Sequence, residues 1–271
     1  MIRKNEERFG PRNTGSDETP QQSGGSPLQF VTPTEFVELP SLGRAYPVGH
    51  PLHMQETIEI RYMTAKDEDI LSSRSLLKSG VALDRLIKNL IVDKNISADS
   101  ILVGDRNAII IAARRSAYGH LYNTKVNCPN CGEVNKKSFD LTKPKILHGE
   151  ASEEYDVVRL DTGNYEITLP RSNYKVVVKL LTGKEEQYMI KKMTKKNNKV
   201  EDSLITNQMK MFIVSVQGYS DPMIIDQFIN MAPAIETRYL RNAYNTLVPD
   251  IKISKDFECS SCGYEQELEV P

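Results

Sequence analysis

The sequence lacks the features that mark membrane and exported proteins. No stretch approaches the roughly 18 consecutive apolar residues that a membrane-spanning helix needs. The opening residues MIRKNEERFG contain no apolar core of the kind a signal peptide has. We therefore expect synthesis in the cytoplasm and no membrane span.

The chain also lacks an excess of charge of either sign. It holds 35 basic and 36 acidic residues, for a formal net charge of -1. Without a global positive field, nothing draws the whole molecule toward a polyanion. The basic stretch at 191–199 has no interleaved aromatic residues, so it is more typical of a solvated loop than of a nucleic-acid surface. We predict no specific nucleic-acid partner.

Signatures of catalysis are missing as well. The sequence contains no GxxxxGK[ST], GxGxxG, GxSxG or HExxH pattern. Asp67, Glu68 and Asp69 fall in the first turn of a predicted helix, where carboxylates favour the positive end of the helix dipole. The four histidines show no metal spacing: His50, His53, His120 and His148. We expect a protein that is not an enzyme and has no small-molecule substrate.

What the chain does have is enough apolar material for a core. Its 271 residues are 39% hydrophobic, which is sufficient for two ordinary domains. Residues 1–30 differ, being rich in Gly, Pro, Ser, Gln and charge. This composition predicts a disordered tail, which could still become ordered on a partner.

After the tail, the patterns predict a mixture of strands and helices. Ile58, Ile60 and Tyr62 alternate with polar residues, as in a strand, and Thr64 with Asp67 resembles the start of a capped helix. Further helices are predicted at 82–90, 105–117, 203–216 and 222–244, and the segment 143–159 is predicted to be a polar leader. We therefore predict an α+β fold.

The cysteines form two matched motifs, CPNCG and CSSCG, each flanked by predicted strands. Zinc prefers four ligands in a tetrahedron, and one CxxC turn supplies two thiolates. Together the two turns predict one structural zinc site per chain. Its ligands would be Cys128, Cys131, Cys259 and Cys262.

Other uses of these cysteines fit less well. A redox CxxC is normally solitary and lies where a strand enters a helix. Disulfides are rare in a cytoplasmic product. A catalytic zinc needs an open coordination position, and four cysteines leave none.

The two halves of the sequence also resemble each other. Leu39-Pro40 precedes Cys128 by 128−40 = 88 positions, and Leu169-Pro170 precedes Cys259 by 259−170 = 89. Between these points, residues 96–118 align without a gap on 222–244, which places RSAY over RNAY. Such self-similarity predicts an internal duplication, with repeats at 31–141 and 142–271. Each repeat would be a strand and helix unit ending in a CxxCG β-hairpin, and the two hairpins would form one split zinc ribbon.

Several blocks in fixed order resemble a known family. VELPSLGRAYPVGHPL, IEIRYMTAKDEDILSSRSLLKSGVALDRLIKNLIVD, LVGDRNAIIIAARRSAYG and VNCPNCG are similar to the baseplate hub proteins of T4-like contractile-tailed bacteriophages. The resemblance is dense over residues 36–141 and looser over 142–271. It implies a structural virion protein of the tail baseplate, made and assembled in the host cytoplasm. The implied partners are other hub, spike and tube-initiating proteins, with several copies around the tail axis.

Two other functions remain open at this point. Some small baseplate proteins assist hub assembly without remaining in the particle. A zinc-ribbon adaptor acting on nucleic acid would instead bind DNA or RNA in a salt-sensitive way.

Overall fold

This computed structural model describes residues 31–195 and 204–270, with side chains except at 191–195 and 204. The tail predicted over residues 1–30 lies outside these ranges. The loop predicted at 191–199 begins inside a helix, and the rest of it also lies outside the described residues.

The first part of the chain pairs two strands and then becomes mostly helical. Its elements are β1 (Thr34–Glu38), β2 (Thr57–Arg61), α1 (Ala65–Ser72), α2 (Arg74–Lys78), α3 (Ala82–Leu90), α4 (Val103–Tyr118), β3 (Leu121–Asn127) and β4 (Val134–Asp140). A 3₁₀ turn at Ala98–Ser100 precedes α4. β1 pairs antiparallel with β2, and β3 pairs antiparallel with β4.

The second part alternates strands with helices. Its elements are β5 (Lys145–Leu147), β6 (Val157–Arg159), β7 (Tyr165–Thr168), β8 (Lys175–Val178), α5 (Gly183–Lys195), α6 (Leu204–Phe212), β9 (Ile213–Val216), α7 (Pro222–Met231), α8 (Ala234–Leu247), β10 (Asp250–Lys252), β11 (Ser254–Glu258) and β12 (Glu265–Glu269). Strands β6-β7-β8-β9 form a sheet in that order, β10 pairs with β5, and β11 pairs with β12.

The mixed class of helices and small sheets is confirmed, and two local predictions need correction. The helix predicted over 203–216 ends at Phe212, because Ile213–Val216 joins the sheet beside β8. The polar leader predicted over 143–159 contains the short strands β5 and β6. Both errors concern strands of three or four residues, whose pairing partners are set by the tertiary fold.

Proline divides the helical segment predicted over 222–244. Pro233 has no N–H to donate and disfavours a helical conformation at the residue before it. Ala232 accordingly adopts extended angles, φ -64° and ψ 135°, and separates α7 from α8. At the other end of α7, Asp221 caps the helix by accepting a 2.8 Å hydrogen bond from the Met223 amide.

The main hydrophobic core draws on both parts of the chain. Ile60 and Ile109 from the first part and Ile167 and Leu240 from the second are fully buried in the same cluster. A smaller cluster of Phe139, Leu141 and Ile253 connects the bases of the β3–β4 and β11–β12 hairpins. This packing brings the far ends of the two hairpins together.

Candidate metal centre

The two cysteine motifs occupy equivalent turns. The last residue pair of β3 and β4 is Asn127 with Val134, and the last pair of β11 and β12 is Glu258 with Glu265. Six residues separate the strands in each case. The cysteines hold the first and fourth of these positions, and a glycine holds the fifth.

Backbone hydrogen bonds give the two turns the same conformation. The amide of the first cysteine donates to the residue after the glycine, at 2.8 Å for Cys128 and 2.9 Å for Cys259. The glycine amide donates back to the first cysteine carbonyl, at 2.9 Å for Gly132 and 3.0 Å for Gly263. Both glycines have positive φ, 76° and 69°, which a side chain would strain.

All four thiols meet at one point. Their sulfur atoms lie within 4.8 Å of one another. Across the hairpins, the Cys128 and Cys262 sulfurs are 3.7 Å apart, as are those of Cys131 and Cys259. Of the His, Cys, Asp and Glu side chains that the structure describes, these four are the group close enough to share a metal ion.

The spacing fits a tetrahedral metal and not disulfides. A disulfide needs about 2.05 Å between sulfurs, far below the observed 3.7 Å. Zinc–sulfur bonds of about 2.3 Å at tetrahedral angles place the sulfurs about 3.8 Å apart. Four thiolates in a tetrahedron select zinc or iron, and these four cysteines supply such a ligand set.

Hydrogen-bond donors point at the sulfurs of the second hairpin. The amides of Cys262 and Ser261, followed by the Asn135 side chain, lower the pKa of the Cys259 thiol to about 6. The Tyr264 amide and then the Asn130 side chain lower the pKa of the Cys262 thiol. Such donors stabilise the thiolate form, which is the form that binds metal.

The pKa of the Cys131 thiol shifts in the opposite direction. The Glu133 amide lowers the pKa of the Cys131 thiol, but the hydrogen bond with Cys262, desolvation, and hydrogen bonds with the other two cysteines outweigh this effect and raise the pKa to about 12. Four sulfurs this close cannot all carry negative charge unless a positive ion lies among them. A divalent metal held by the four cysteines would supply that charge.

Sequence reasoning missed two asparagines of the first hairpin that contact the second. The Asn130 amide nitrogen lies 3.7 Å from the Cys262 sulfur, and that of Asn135 lies 3.6 Å from the Cys259 sulfur. The Asn135 carbonyl oxygen also accepts hydrogen bonds from the amide and hydroxyl of Ser260, at 3.0 and 2.9 Å. In the sequence, these contacts are indicated only by the positions of the two residues: Asn130 lies inside the CPNCG motif, and Asn135 lies three residues after its glycine.

The other polar residues considered from sequence lie elsewhere. Asp67 caps α1, where its carboxylate accepts hydrogen bonds from the Thr64 amide and hydroxyl at 2.8 and 2.9 Å. His50 stacks on Tyr46 with ring centroids 4.5 Å apart, and its Nε2 lies 2.9 Å from the Ser100 hydroxyl. Both arrangements are local packing and capping contacts.

Comparison with known proteins gives one family. The family model described as T4 bacteriophage base plate protein matches residues 32–271. No curated protein and no solved structure matches the chain. None of the helices in the described part of the chain has the length and apolar character needed to cross a membrane.

Proposed function

Because the chain belongs to the family of the T4 bacteriophage base plate protein, we propose that it is a structural subunit of the central hub of a contractile phage baseplate. The observation that carries this proposal is a family match over nearly the whole chain. The family makes it a baseplate-associated phage protein. Its place in the hub and a contribution to starting the tail tube are the proposed refinements.

Zinc is the proposed metal of the four-cysteine cluster, at one ion per chain. A site of four cysteines is closed to substrate and water, so its role is structural. Because the ligands come from both hairpins, binding energy adds directly to folding energy. We propose no catalytic role for the ion and none for the protein.

An internal duplication is part of the same proposal. Its strongest support is that the helix positions follow the same offset as the cysteines. Helix α8 starts 234−103 = 131 residues after α4, and Cys259 follows Cys128 by 259−128 = 131. Asp105 and Glu236 are each the third residue of their helix.

These two carboxylates serve similar purposes. Asp105 accepts hydrogen bonds from the Ser41 amide and hydroxyl, at 2.9 and 2.6 Å. Glu236 accepts them from the Ser172 amide and hydroxyl, at 2.7 and 2.9 Å. Each serine lies one or two residues after a Leu-Pro pair. Each carboxylate therefore attaches the long helix of its half to the segment that follows a strand.

The structure does not support the gap-free alignment of 96–118 on 222–244. Tyr118 ends α4 and is 49% exposed, whereas Tyr244 lies inside α8, is buried, and stacks on Phe212 at 4.0 Å. Their surroundings differ because that alignment uses an offset of 126 where the helices use 131. In the proposed duplication, the residues equivalent to 96–118 therefore lie five positions later than 222–244.

Particle composition tests the proposed function. Mass spectrometry of purified virions, with copy number by densitometry, should find the protein in the tail baseplate in several copies per particle, bound to other tail proteins. Absence from virions, with baseplates that still require the protein, would identify an assembly factor instead. Salt-sensitive binding of the purified protein to DNA or RNA would favour the nucleic-acid adaptor.

A further inference from the structure

The β3–β4 hairpin and the β11–β12 hairpin contact each other, each through one of its two faces. The Lys137 amine donates to the Glu258 carbonyl oxygen at 2.8 Å and lies 4.8 Å from the centre of the Phe257 ring. The Lys255 amine donates to the Ser138 carbonyl oxygen at 3.0 Å. Because side chains alternate along a strand, the neighbouring residues point to the opposite face of each hairpin. Those opposite faces are turned toward solvent.

The outward face of the first hairpin is basic at its middle. Lys125 lies directly opposite Lys136 in the strand register, and both are exposed. Leu121 and Val134 on the same face are 51% and 52% exposed. Asp140, at the far end of this face, accepts hydrogen bonds from the Thr142 amide and hydroxyl. The lysine pair therefore sits among uncharged and apolar side chains.

The outward face of the second hairpin is acidic. Asp256 lies opposite Glu267, and Glu258 lies opposite Glu265. All four carboxylates belong to exposed residues. The Ser254 hydroxyl donates a hydrogen bond to Glu267. Although the whole chain has a net charge of only -1, the outward faces of its two hairpins therefore carry charges of opposite sign.

Like charges placed directly opposite each other weaken a two-stranded sheet. One lysine pair and two carboxylate pairs therefore oppose hairpin stability within a single chain. Bringing the basic face against the acidic face would relieve the repulsion on both sides. The complementarity is of the kind that sets register and partner choice at interfaces.

We propose that copies of this chain associate head to tail, with the Lys125–Lys136 face of one copy against the Asp256–Glu267 face of the next. Such a contact joins two different surfaces, so it can close into a ring. This proposal rests on the proposed function, because the contact would join the several copies of a hub subunit to one another. In free solution the contact is weak and salt-sensitive, because exposed ion pairs contribute little and are screened by salt.

Sedimentation equilibrium of the zinc-loaded, full-length protein tests this contact. At about 0.02 M salt the protein should associate reversibly with rising concentration, and about 0.5 M salt should return it to monomers. Lys125→Glu with Lys136→Glu should raise the dissociation constant by more than about tenfold. Asp256→Lys with Glu267→Lys should do the same.

A mixture of the two variants separates this contact from other forms of association. The acidic face of the first variant is intact, and so is the basic face of the second, so mixing should restore association that neither shows alone. Lys66→Glu with Lys88→Glu makes the same change in net charge at exposed positions of α1 and α3, and should leave association unchanged. Circular dichroism and zinc content would verify that each variant is folded.

The proposed contact is overturned if the unmodified protein stays monomeric at low salt, if the hairpin variants associate as it does, or if the mixture does not associate. These results are independent of particle composition. A protein found in virions but monomeric at low salt would keep the proposed function and lose this contact.

Discussion

At the scale of single residues, the same capping arrangement begins α1 and α5. Asp67 accepts hydrogen bonds from Arg61 and from the Thr64 amide and hydroxyl. Glu185, the third residue of α5, accepts them from Lys179 and from the Thr182 amide and hydroxyl. In both cases a basic residue lies three positions before the threonine, and the carboxylate lies three after it.

These caps predict a particular dependence of stability on pH. Burial alone would raise the pKa of Asp67, but hydrogen bonds from Arg61 and Thr64 lower it to about 2, from an ordinary value of 3.8. A carboxylate with a lowered pKa in the folded state stabilises the protein above its unfolded pKa. That stabilisation is lost as pH falls through the folded pKa.

Asp67→Asn should therefore cost about 1–2 kcal/mol in the free energy of unfolding at pH 7, as the loss of a helix cap does. The cost should shrink between about pH 4 and pH 2, where Asp67 of the unmodified protein becomes protonated. Urea unfolding over this pH range measures it. Asp69→Asn, an exposed neighbour in the same helix, is the control, and an equal pH dependence in both variants would contradict the assignment.

Residue types with strong local rules could be predicted from the sequence. The cysteine motifs and the Thr64–Asp67 cap depend on spacings of three residues, which the sequence displays directly. Asn135 and Glu236 act on residues more than 60 positions away. Nothing in their local pattern distinguishes them from solvated polar side chains, so only the fold identifies their partners.

At the scale of elements, Arg106 of α4 connects three helices. Its side chain is 3% exposed and forms ion pairs with Asp84 of α3 and Glu186 of α5. It also donates to the Ala98 carbonyl oxygen at 2.9 Å. One buried guanidinium thus joins helices from both parts of the chain.

Removing this arginine should destabilise the fold far more than removing another from the same helix. Arg106→Ala leaves the largely buried Asp84 carboxylate and the Ala98 carbonyl oxygen without this partner and should cost about 3–5 kcal/mol. Arg115→Ala breaks a partly exposed pair with Glu35 and should cost less than about 1 kcal/mol. Chemical unfolding of both variants compares them, and equal losses would refute the role given to Arg106.

Elements with a clear period were predictable, and short strands were not. Helix α3 begins and ends where the sequence predicts, at Ala82 and Leu90. Strand β9 was predicted as helix because its apolar residues continue directly from α6. Strand β5 pairs with β10, which lies about a hundred residues later. Local sequence cannot specify a strand of three residues whose partner is that distant.

At the scale of the whole molecule, the first and second parts of the chain meet in two places. The main core buries residues from both parts of the sequence, and the four cysteines join the ends of the two hairpins. The second cysteine pair is made only after the intervening residues 132–258 have been synthesised. We therefore expect metal binding to be among the last steps of folding, and losing either cysteine pair should loosen both hairpins.

The metal content of the purified protein tests the central claim most directly. Elemental analysis should find one zinc ion per chain in the unmodified protein, and none after Cys259→Ser with Cys262→Ser, because each hairpin supplies only half of the ligands. Two zinc ions per chain, no zinc in the unmodified protein, or zinc retained by that variant would contradict a single site shared between the hairpins.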